Sequence, residues 1–156
     1  MTESNQYLRR AIQLAMQARE RGNRPFGALI VDAQGDPVAE AEADSITTGD
    51  CTGHAETNAL RIATRKLSRE ELSRCTLYSS AEPCVMCAGA IFWSNIRRVV
   101  YGIDATTLRE YRGTRADQMD LALSCREILR ASPYPIEVIG PALGDEARVP
   151  HEGFWN

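Results

Sequence analysis

The strongest constraint on this chain of 156 residues is a pair of short motifs that can bind one metal ion together. The first motif is His54-Ala-Glu56, and the second is Pro83-Cys84-Val-Met-Cys87. One imidazole and two thiolates can fill three of the four tetrahedral positions that zinc prefers, which leaves the fourth position for water. The fold must therefore bring two segments that are distant in sequence to a single point.

Both motifs are predicted to lie where a loop enters a helix. Residues 53–65 and 84–93 have helical patterns, and Pro83 is expected in the first turn of the second helix. The two cysteines then lie on one side of a helical turn, within reach of the ion that the histidine binds. Helix N-termini carry partial positive charge, which stabilises thiolates and developing anions.

Each half of the pattern has a simpler interpretation when it is taken alone. A C-x-x-C pair is typical of a redox site or of half a zinc knuckle. Glu56 could be a helix-start carboxylate that the helix dipole favours. Cys51 could reach the metal as a fourth ligand, but it would block the open position, and His151 is the only other histidine. Together, the two halves favour catalytic zinc, with Glu56 moving the protons of a bound water.

Composition and charge indicate one globular domain over residues 1–156 that acts on a small molecule. Hydrophobic residues make up 44% and charged residues 25%, and the net charge is −3. This balance argues against nucleic acid, because binding to phosphates normally requires an excess of Lys and Arg. The sequence also lacks a membrane-span pattern and a secretory-signal pattern, so we expect a cytoplasmic protein without a membrane partner. Five scattered cysteines are expected to be free thiols or metal ligands.

The order of the helical and strand patterns predicts a three-layer α/β/α fold around a five-stranded mixed sheet. The first two strands are expected to form a hairpin. Residues 44–52 are expected to be loop, residues 103–134 have no clear pattern, and Ile62 is expected on the buried side of its helix. The predicted elements are helices over 4–21, 53–65, 68–71 and 84–93, and strands over 26–31, 38–43, 76–80, 96–102 and 136–139.

These residues resemble the cytidine deaminase superfamily, in particular the branch that contains guanine deaminases, yeast-type cytosine deaminase and the bacterial tRNA adenosine deaminase. The matching blocks are 24–31 (RPFGALIV), 52–61 (TGHAETNALR), 81–93 (AEPCVMCAGAIFW) and 96–102 (IRRVVYG). H-x-E followed by P-C-x-x-C is the signature of zinc-dependent base deaminases. The resemblance implies hydrolytic deamination with Zn2+ as the cofactor, and it favours a homodimer. It is much less specific for the substrate.

The resemblance also assigns roles to individual residues. His54, Cys84 and Cys87 would be the zinc ligands, and Glu56 would be the proton shuttle. Phe26 falls where the family places an apolar wall under the substrate ring, although core packing would also explain it.

Two further residues around the histidine are expected to contact the substrate. The backbone N–H of Ala55 would meet a carbonyl oxygen or a ring nitrogen. Family members usually have Asn in the loop before the histidine, and Asp44 takes that place here. Because an ionised Asp only accepts hydrogen bonds, we expect a substrate with N–H or amino donors at that edge. A solvated loop aspartate is the alternative.

The end of the chain, residues 141–156, is a candidate segment for closing the active site. Phe154 and Trp155 lie there, and terminal aromatic segments close over the pocket in small-base deaminases of this superfamily. Plain packing is the alternative. The tRNA-editing branch usually ends in a basic helix, whereas Arg148 is the only Lys or Arg in residues 131–156.

The sequence therefore predicts an enzyme that deaminates a free nucleobase or a related small heterocycle, with guanine ranked before cytosine. Trp93 resembles the guanine deaminases, although core packing is its expected role. A tRNA-specific adenosine deaminase is the first alternative, since the metal site fits it equally well. A zinc-stabilised interaction module without activity is the second, but such a module would not need Glu56.

Overall fold

A computed structural model of the chain describes residues 3–113 and 115–155. Within these ranges the chain forms a five-stranded mixed sheet with helices on both faces, as predicted. The strands are β1 (Gly27–Val31), β2 (Pro37–Glu42), β3 (Thr76–Ala81), β4 (Arg98–Ile103) and β5 (Glu137–Ile139). The helices are α1 (Glu3–Glu20), α2 (Ser45–Thr48), α3 (Ala55–Lys66), α4 (Arg69–Leu72), α5 (Val85–Ser94), α6 (Ala105–Arg112), α7 (Cys125–Arg130) and α8 (Gly144–Arg148), with 3-10 turns at Ala116–Gln118 and Val149–His151.

The sheet order is β2-β1-β3-β4-β5, and its strand directions determine where the site forms. β1 pairs antiparallel with β2, which confirms the predicted hairpin, and also with β3. β3, β4 and β5 run parallel. Ligands of such sheets bind outside the carboxyl ends of the parallel strands. The second metal motif follows that end of β3, and α6 follows that end of β4.

The core has two parts, one on each face of the sheet. Side chains of α3, α5 and α7 pack on one face, and those of α1 and α8 pack on the other. Gly27 permits the close contact between α1 and β1, since a Cβ there would collide with the Ala11 carbonyl oxygen. The predicted inner side of α1 is buried throughout, at Leu8, Ala11, Ile12, Ala15 and Ala18.

Three local predictions were wrong. The predicted loop over 44–52 contains the short helix α2, because the buried Asn23 side chain accepts from the Thr47 N–H and donates to its hydroxyl, both at 3.0 Å. Ile62 is exposed, because α3 lies over β2 at the edge of the sheet. Trp93 is 76% exposed, because its helix neighbour Phe92 packs on the core and consecutive helical side chains point in different directions.

Glu82 organises much of the stretch 103–134 that had no clear sequence pattern. One carboxylate oxygen accepts a hydrogen bond from the Ala105 N–H at 3.1 Å, and the other accepts from the Cys125 N–H at 3.0 Å. These are the first residues of α6 and α7, so a single side chain holds the beginnings of both helices beside the second metal motif. None of the helices in the described ranges is both long and apolar enough to span a membrane.

Candidate active site

The three predicted metal ligands come together at the beginnings of α3 and α5. His54 is the residue that precedes α3, and Cys84 is the residue that precedes α5, while Cys87 lies in the first turn of α5. The sequence predicted Pro83 in the first turn of α5, but Pro83 lies just before the helix. The His54 Nδ1 lies 3.5 Å from each cysteine sulfur, and the three ligand atoms lie within 4.8 Å of one another.

This spacing fits a tetrahedral zinc ion. Zn–N and Zn–S bonds of about 2.0 and 2.3 Å at the tetrahedral angle separate nitrogen from sulfur by about 3.5 Å. Among the described residues, no further His, Cys, Asp or Glu joins this group, and Cys51 is exposed. The arrangement therefore gives no support to Cys51 as a fourth ligand. Three ligands with one open position are typical of catalytic zinc rather than structural zinc.

Glu56 lies in the first turn of α3, close to the ligand group, and only 5% of it is exposed. It borders a small recess of about 50 Å³, which His54 and Cys84 also line. Burial, followed by the negative charge of Cys84, raises the pKa of Glu56 to about 7. The Cys87 thiol donates a hydrogen bond that lowers the pKa of Cys84, which favours a thiolate there.

A larger cavity of about 320 Å³ opens beside the recess, within the size range of small-molecule sites. His54 and Cys84 are among the residues that line it. Phe26 and Trp155 also line it, with ring centroids 6.1 Å apart and planes inclined at 56°. Phe26, the predicted wall, and Trp155, from the predicted closing segment, thus both lie next to the metal group, and Phe26 borders the recess as well.

The other predicted substrate contacts are placed differently. Ala55 is the buried first residue of α3, adjacent to His54, where helix N–H groups lack partners within the helix. Phe154 packs edge-on against Trp155, with ring centroids 4.9 Å apart. It is not among the described residues that line the cavity. Asp44 lines a separate surface depression, where its Oδ1 accepts a hydrogen bond from Asn58 at 3.0 Å. The structure therefore does not bring Asp44 to the cavity.

The C-terminal segment is held against its own chain by specific contacts. The Arg19 guanidinium donates to the carbonyl oxygens of Pro150 at 3.0 Å and Glu152 at 2.6 Å. Trp155 is 6% exposed, and its indole N–H donates to the His151 Nδ1 at 3.1 Å. The wall that Trp155 contributes is thus built within a single chain.

Several polar residues of the cavity wall could not be predicted from the sequence motifs. Among them, Arg24, Arg112 and Gln118 line the cavity beside Phe26 and Trp155. Arg24 begins the block over 24–31 and could have been considered for that reason. The other two come from the stretch without a regular pattern, and their place becomes evident only once α6 has been positioned by Glu82.

Comparison with known proteins identifies the class. A family model described as the cytidine and deoxycytidylate deaminase zinc-binding region matches residues 1–103. The chain belongs to this family of zinc-binding deaminases, and the predicted resemblance is confirmed.

Three relatives show the range of the family. The "Probable cytosine deaminase" of Schizosaccharomyces pombe is 45% identical over 150 residues, covering 96% of this chain and 91% of the relative. A tRNA-specific adenosine deaminase of Haemophilus influenzae is 42% identical over 95 residues, 61% of this chain and 55% of that protein. The solved guanine deaminase from Nitrosomonas europaea superposes with a TM-score of 0.79 at 25% identity, covering 94% of this chain and 81% of that one. These matches agree with the predicted α/β fold.

Proposed function

We propose that this chain is a zinc-dependent hydrolytic deaminase of a free nucleobase, with a cytosine-type pyrimidine as the first candidate. The observation that carries the proposal is the His54, Cys84 and Cys87 group beside a cavity of small-molecule size, with Glu56 in the adjoining recess. In the proposed reaction, the oxygen of water bonds to a ring carbon, the carbon–amine bond breaks and ammonia leaves.

His54, Cys84 and Cys87 would hold the zinc ion, and each has a donor atom suited to it. Zinc, when bound, acts as a Lewis acid that lowers the pKa of a coordinated water. The Glu56 carboxylate would accept a proton from that water and deliver protons to the ring nitrogen and then to the departing amine. Its buried position keeps bulk water from competing for these protons. Phe26 and Trp155 would supply adjoining aromatic walls for the ring, and the Ala55 N–H would meet a ring acceptor.

The relatives support two substrates to different degrees. The relative from Schizosaccharomyces pombe covers nearly the whole chain, and its name indicates cytosine. The structural match from Nitrosomonas europaea covers 94% of this chain, which keeps guanine as the second candidate. The sequence alone ranked guanine first, and we reverse the order because the match to the cytosine-type relative has the higher identity.

Ammonia release by the zinc-loaded protein tests the proposal. We expect turnover of cytosine, weaker turnover of guanine, and none of adenosine. The matched control is Glu56→Gln, which keeps the size of the side chain but cannot move protons, and whose ammonia release should be lower by about 10²- to 10⁴-fold. If the zinc-loaded protein releases no ammonia from any nucleobase or nucleoside, the proposed function is wrong.

A tRNA-editing activity has less support than a free-base activity. The tRNA-specific relative from Haemophilus influenzae matches 61% of this chain, and the net charge of this chain is −3. Near the terminus, Arg148 stands among Asp145, Glu146 and Glu152. We therefore expect no salt-sensitive tRNA binding in a gel-shift assay at two salt concentrations. A strong shift that weakens with salt would favour the editing activity instead.

We further propose that residues 141–156 close the site from within the same chain, since Trp155 lines the cavity and Arg19 holds the segment in place. Asn156 lies outside the described residues.

The five free cysteines favour a reducing, cytoplasmic compartment.

A homodimer through the outer side of α5 is also proposed, because Trp93 on that helix is a large aromatic residue that is 76% exposed. Light scattering with a Trp93→Ser variant would test it, and a monomeric wild-type protein would contradict it.

A further inference from the structure

The buried polar atoms that lack a hydrogen-bond partner are concentrated around the cavity. Within the described residues, three buried side-chain atoms have none, namely Arg112 Nε, Gln118 Oε1 and His151 Nε2. In folded proteins, buried polar atoms nearly always have a partner, so each exception requires a reason. Arg112 and Gln118 both line the cavity beside the metal group. A bound ligand would supply the partners that these two side chains lack.

Arg112 is positioned to face the substrate. Its side chain is only 15% exposed, and its guanidinium carbon lies 5.2 Å from the ring centroid of Trp155 and 5.9 Å from that of Phe26. It lines the cavity and also the recess that contains Glu56. The two aromatic rings therefore hold a cation at the boundary between the binding space and the site of proton transfer.

The nearest carboxylate does not satisfy Arg112. Asp120 Oδ1 lies 3.7 Å from Arg112 Nη1, which is too long for a hydrogen bond. Asp120 instead binds Arg109 through two hydrogen bonds, of 2.9 and 3.1 Å. Burial also lowers the pKa of Arg112, which is the expected cost of a guanidinium without a full partner. An oxygen acceptor from the substrate would relieve that cost.

The charge of the surrounding wall favours an oxygen acceptor at this point. Arg24 is a second guanidinium that lines the cavity. The other acidic residue of the wall, Asp117, is bound to Arg115 at 2.7 and 3.1 Å. Gln118 adds the opposite hydrogen-bonding capacity, since its unpartnered Oε1 is an acceptor. The wall thus offers donors from arginine and one acceptor from glutamine.

We propose that Arg112 and Gln118 recognise a lactam edge of the substrate. A ring carbonyl oxygen accepts a hydrogen bond from Arg112, and the neighbouring ring N–H donates to Gln118 Oε1. This inference rests on the proposed function and narrows it to amino-substituted rings that carry an oxo group beside a ring N–H. Cytosine and guanine have such an edge, whereas adenine has no oxo group. Arg112 and Gln118 are thus specificity residues that sequence motifs do not reveal.

A matched pair of substrates tests the proposal. Cytosine and 4-aminopyrimidine carry the same reacting amine, but only cytosine has the oxo group. We expect the zinc-loaded wild-type protein to prefer cytosine in kcat/KM by at least about 100-fold, since sites built around a polar contact reject analogues that lack it. Arg112→Met should remove most of this preference by lowering kcat/KM for cytosine alone, and Arg112→Lys should restore part of it. Gln118→Leu should also narrow the preference.

The control is Arg130→Met, which makes the same change at an exposed arginine of α7 that does not line the cavity. It should keep the wild-type preference. If Arg112→Met lowers kcat/KM equally for both substrates, or if the preference survives in that variant, the inference is wrong while the deaminase function stands.

Calorimetric titration separates this inference from the proposed function. Uracil retains the lactam edge without a reacting amine, and unsubstituted pyrimidine lacks both. If the wild-type protein turns over no substrate but binds uracil more tightly than pyrimidine in a manner that Arg112→Met abolishes, the proposed function fails and the recognition role stands. If neither turnover nor uracil binding is detected, the inference is overturned together with the function.

Discussion

Two groups of residues at the cavity, the metal end and the recognition end, differ in how completely the protein matches their polar groups. At the metal end, His54, Cys84 and Cys87 direct their donor atoms at one another, within 4.8 Å. The recognition end includes Arg112, which also borders the Glu56 recess, and Gln118, and both present buried polar atoms that no described residue binds. One metal ion would give the donor atoms of the metal end their partner, whereas the polar atoms of the recognition end would find partners only on a bound organic ring.

This difference also separates the parts of the chain that carry chemistry and specificity. The metal end lies within residues 1–103, the range that the family model matches. Arg112, Gln118 and Trp155 lie beyond that range, whereas Arg24 and Phe26 of the same wall lie within it. The two proposed specificity residues, Arg112 and Gln118, are therefore outside the part of the chain that the family model matches.

Removing a metal ligand should have the largest effect on activity, because it would prevent zinc binding. Cys84→Ser should abolish zinc binding and reduce ammonia release to background, because two of the three ligands cannot hold the ion tightly. The matched control is Cys51→Ser, the same change at an exposed cysteine outside the group. Metal analysis of both variants would check this prediction. Loss of zinc from Cys51→Ser would indicate that Cys51 is also a metal ligand.

The pH dependence of stability tests how the aromatic wall is supported. Burial, with Arg112 and Arg19 nearby, lowers the pKa of His151 from 6.5 to about 4, and the residue is 1% exposed. Between these values the unfolded chain binds the proton and the folded chain does not. Stability should therefore fall as the pH falls from about 6.5 to about 4, by up to about 3 kcal/mol from this residue.

Denaturant unfolding at several pH values, compared with His151→Gln, isolates that contribution. Gln can still accept the hydrogen bond from the Trp155 indole, but it has no proton to bind in this range. The difference between the two proteins should shrink as the pH falls. A difference that does not change with pH would show that His151 is not buried in its neutral form.

The two adjacent aromatic residues of the tail offer a comparison within the recognition end. Trp155→Leu removes a ring that lines the cavity, so KM should rise about 10-fold, the usual effect of losing a stacking contact with a base. Phe154→Leu changes a ring that packs outside the cavity and should leave KM nearly unchanged. Equal effects of the two substitutions would contradict the assignment of Trp155 as a wall of the site.

Asp44 should give the smallest effect. Its carboxylate is bound by Asn58 and faces a separate depression, so Asp44→Asn should leave the ranking of substrates unchanged. Relative kcat/KM values for cytosine and guanine would check this. A changed ranking would restore the role that the sequence suggested for Asp44.

The sequence allowed the fold and the metal end to be predicted because both are encoded locally. His54 and the two cysteines stand at fixed spacing beside helical patterns, and the apolar run over 26–31 marks a buried strand. Asp44 was placed in the site from its position in the loop, yet a hydrogen bond to Asn58 turns its carboxylate elsewhere. Local sequence cannot show such a contact.

The recognition end could not be predicted, since its residues come from short segments without hydrophobic periodicity. Arg112 reaches the cavity because Glu82 holds the beginning of α6 through a hydrogen bond to Ala105. Trp155 reaches it because Arg19 of α1 holds the tail. Both placements depend on long-range hydrogen bonds that no spacing rule expresses.

The most direct test of the proposed zinc chemistry is a joint measurement of zinc content and kcat for Glu56→Gln. We expect one zinc per chain, as in the wild-type protein, with kcat lower by about 10²- to 10⁴-fold, the usual contribution of a general acid–base group. Full activity in a zinc-loaded Glu56→Gln protein would contradict the assignment of Glu56 as the proton carrier of this site.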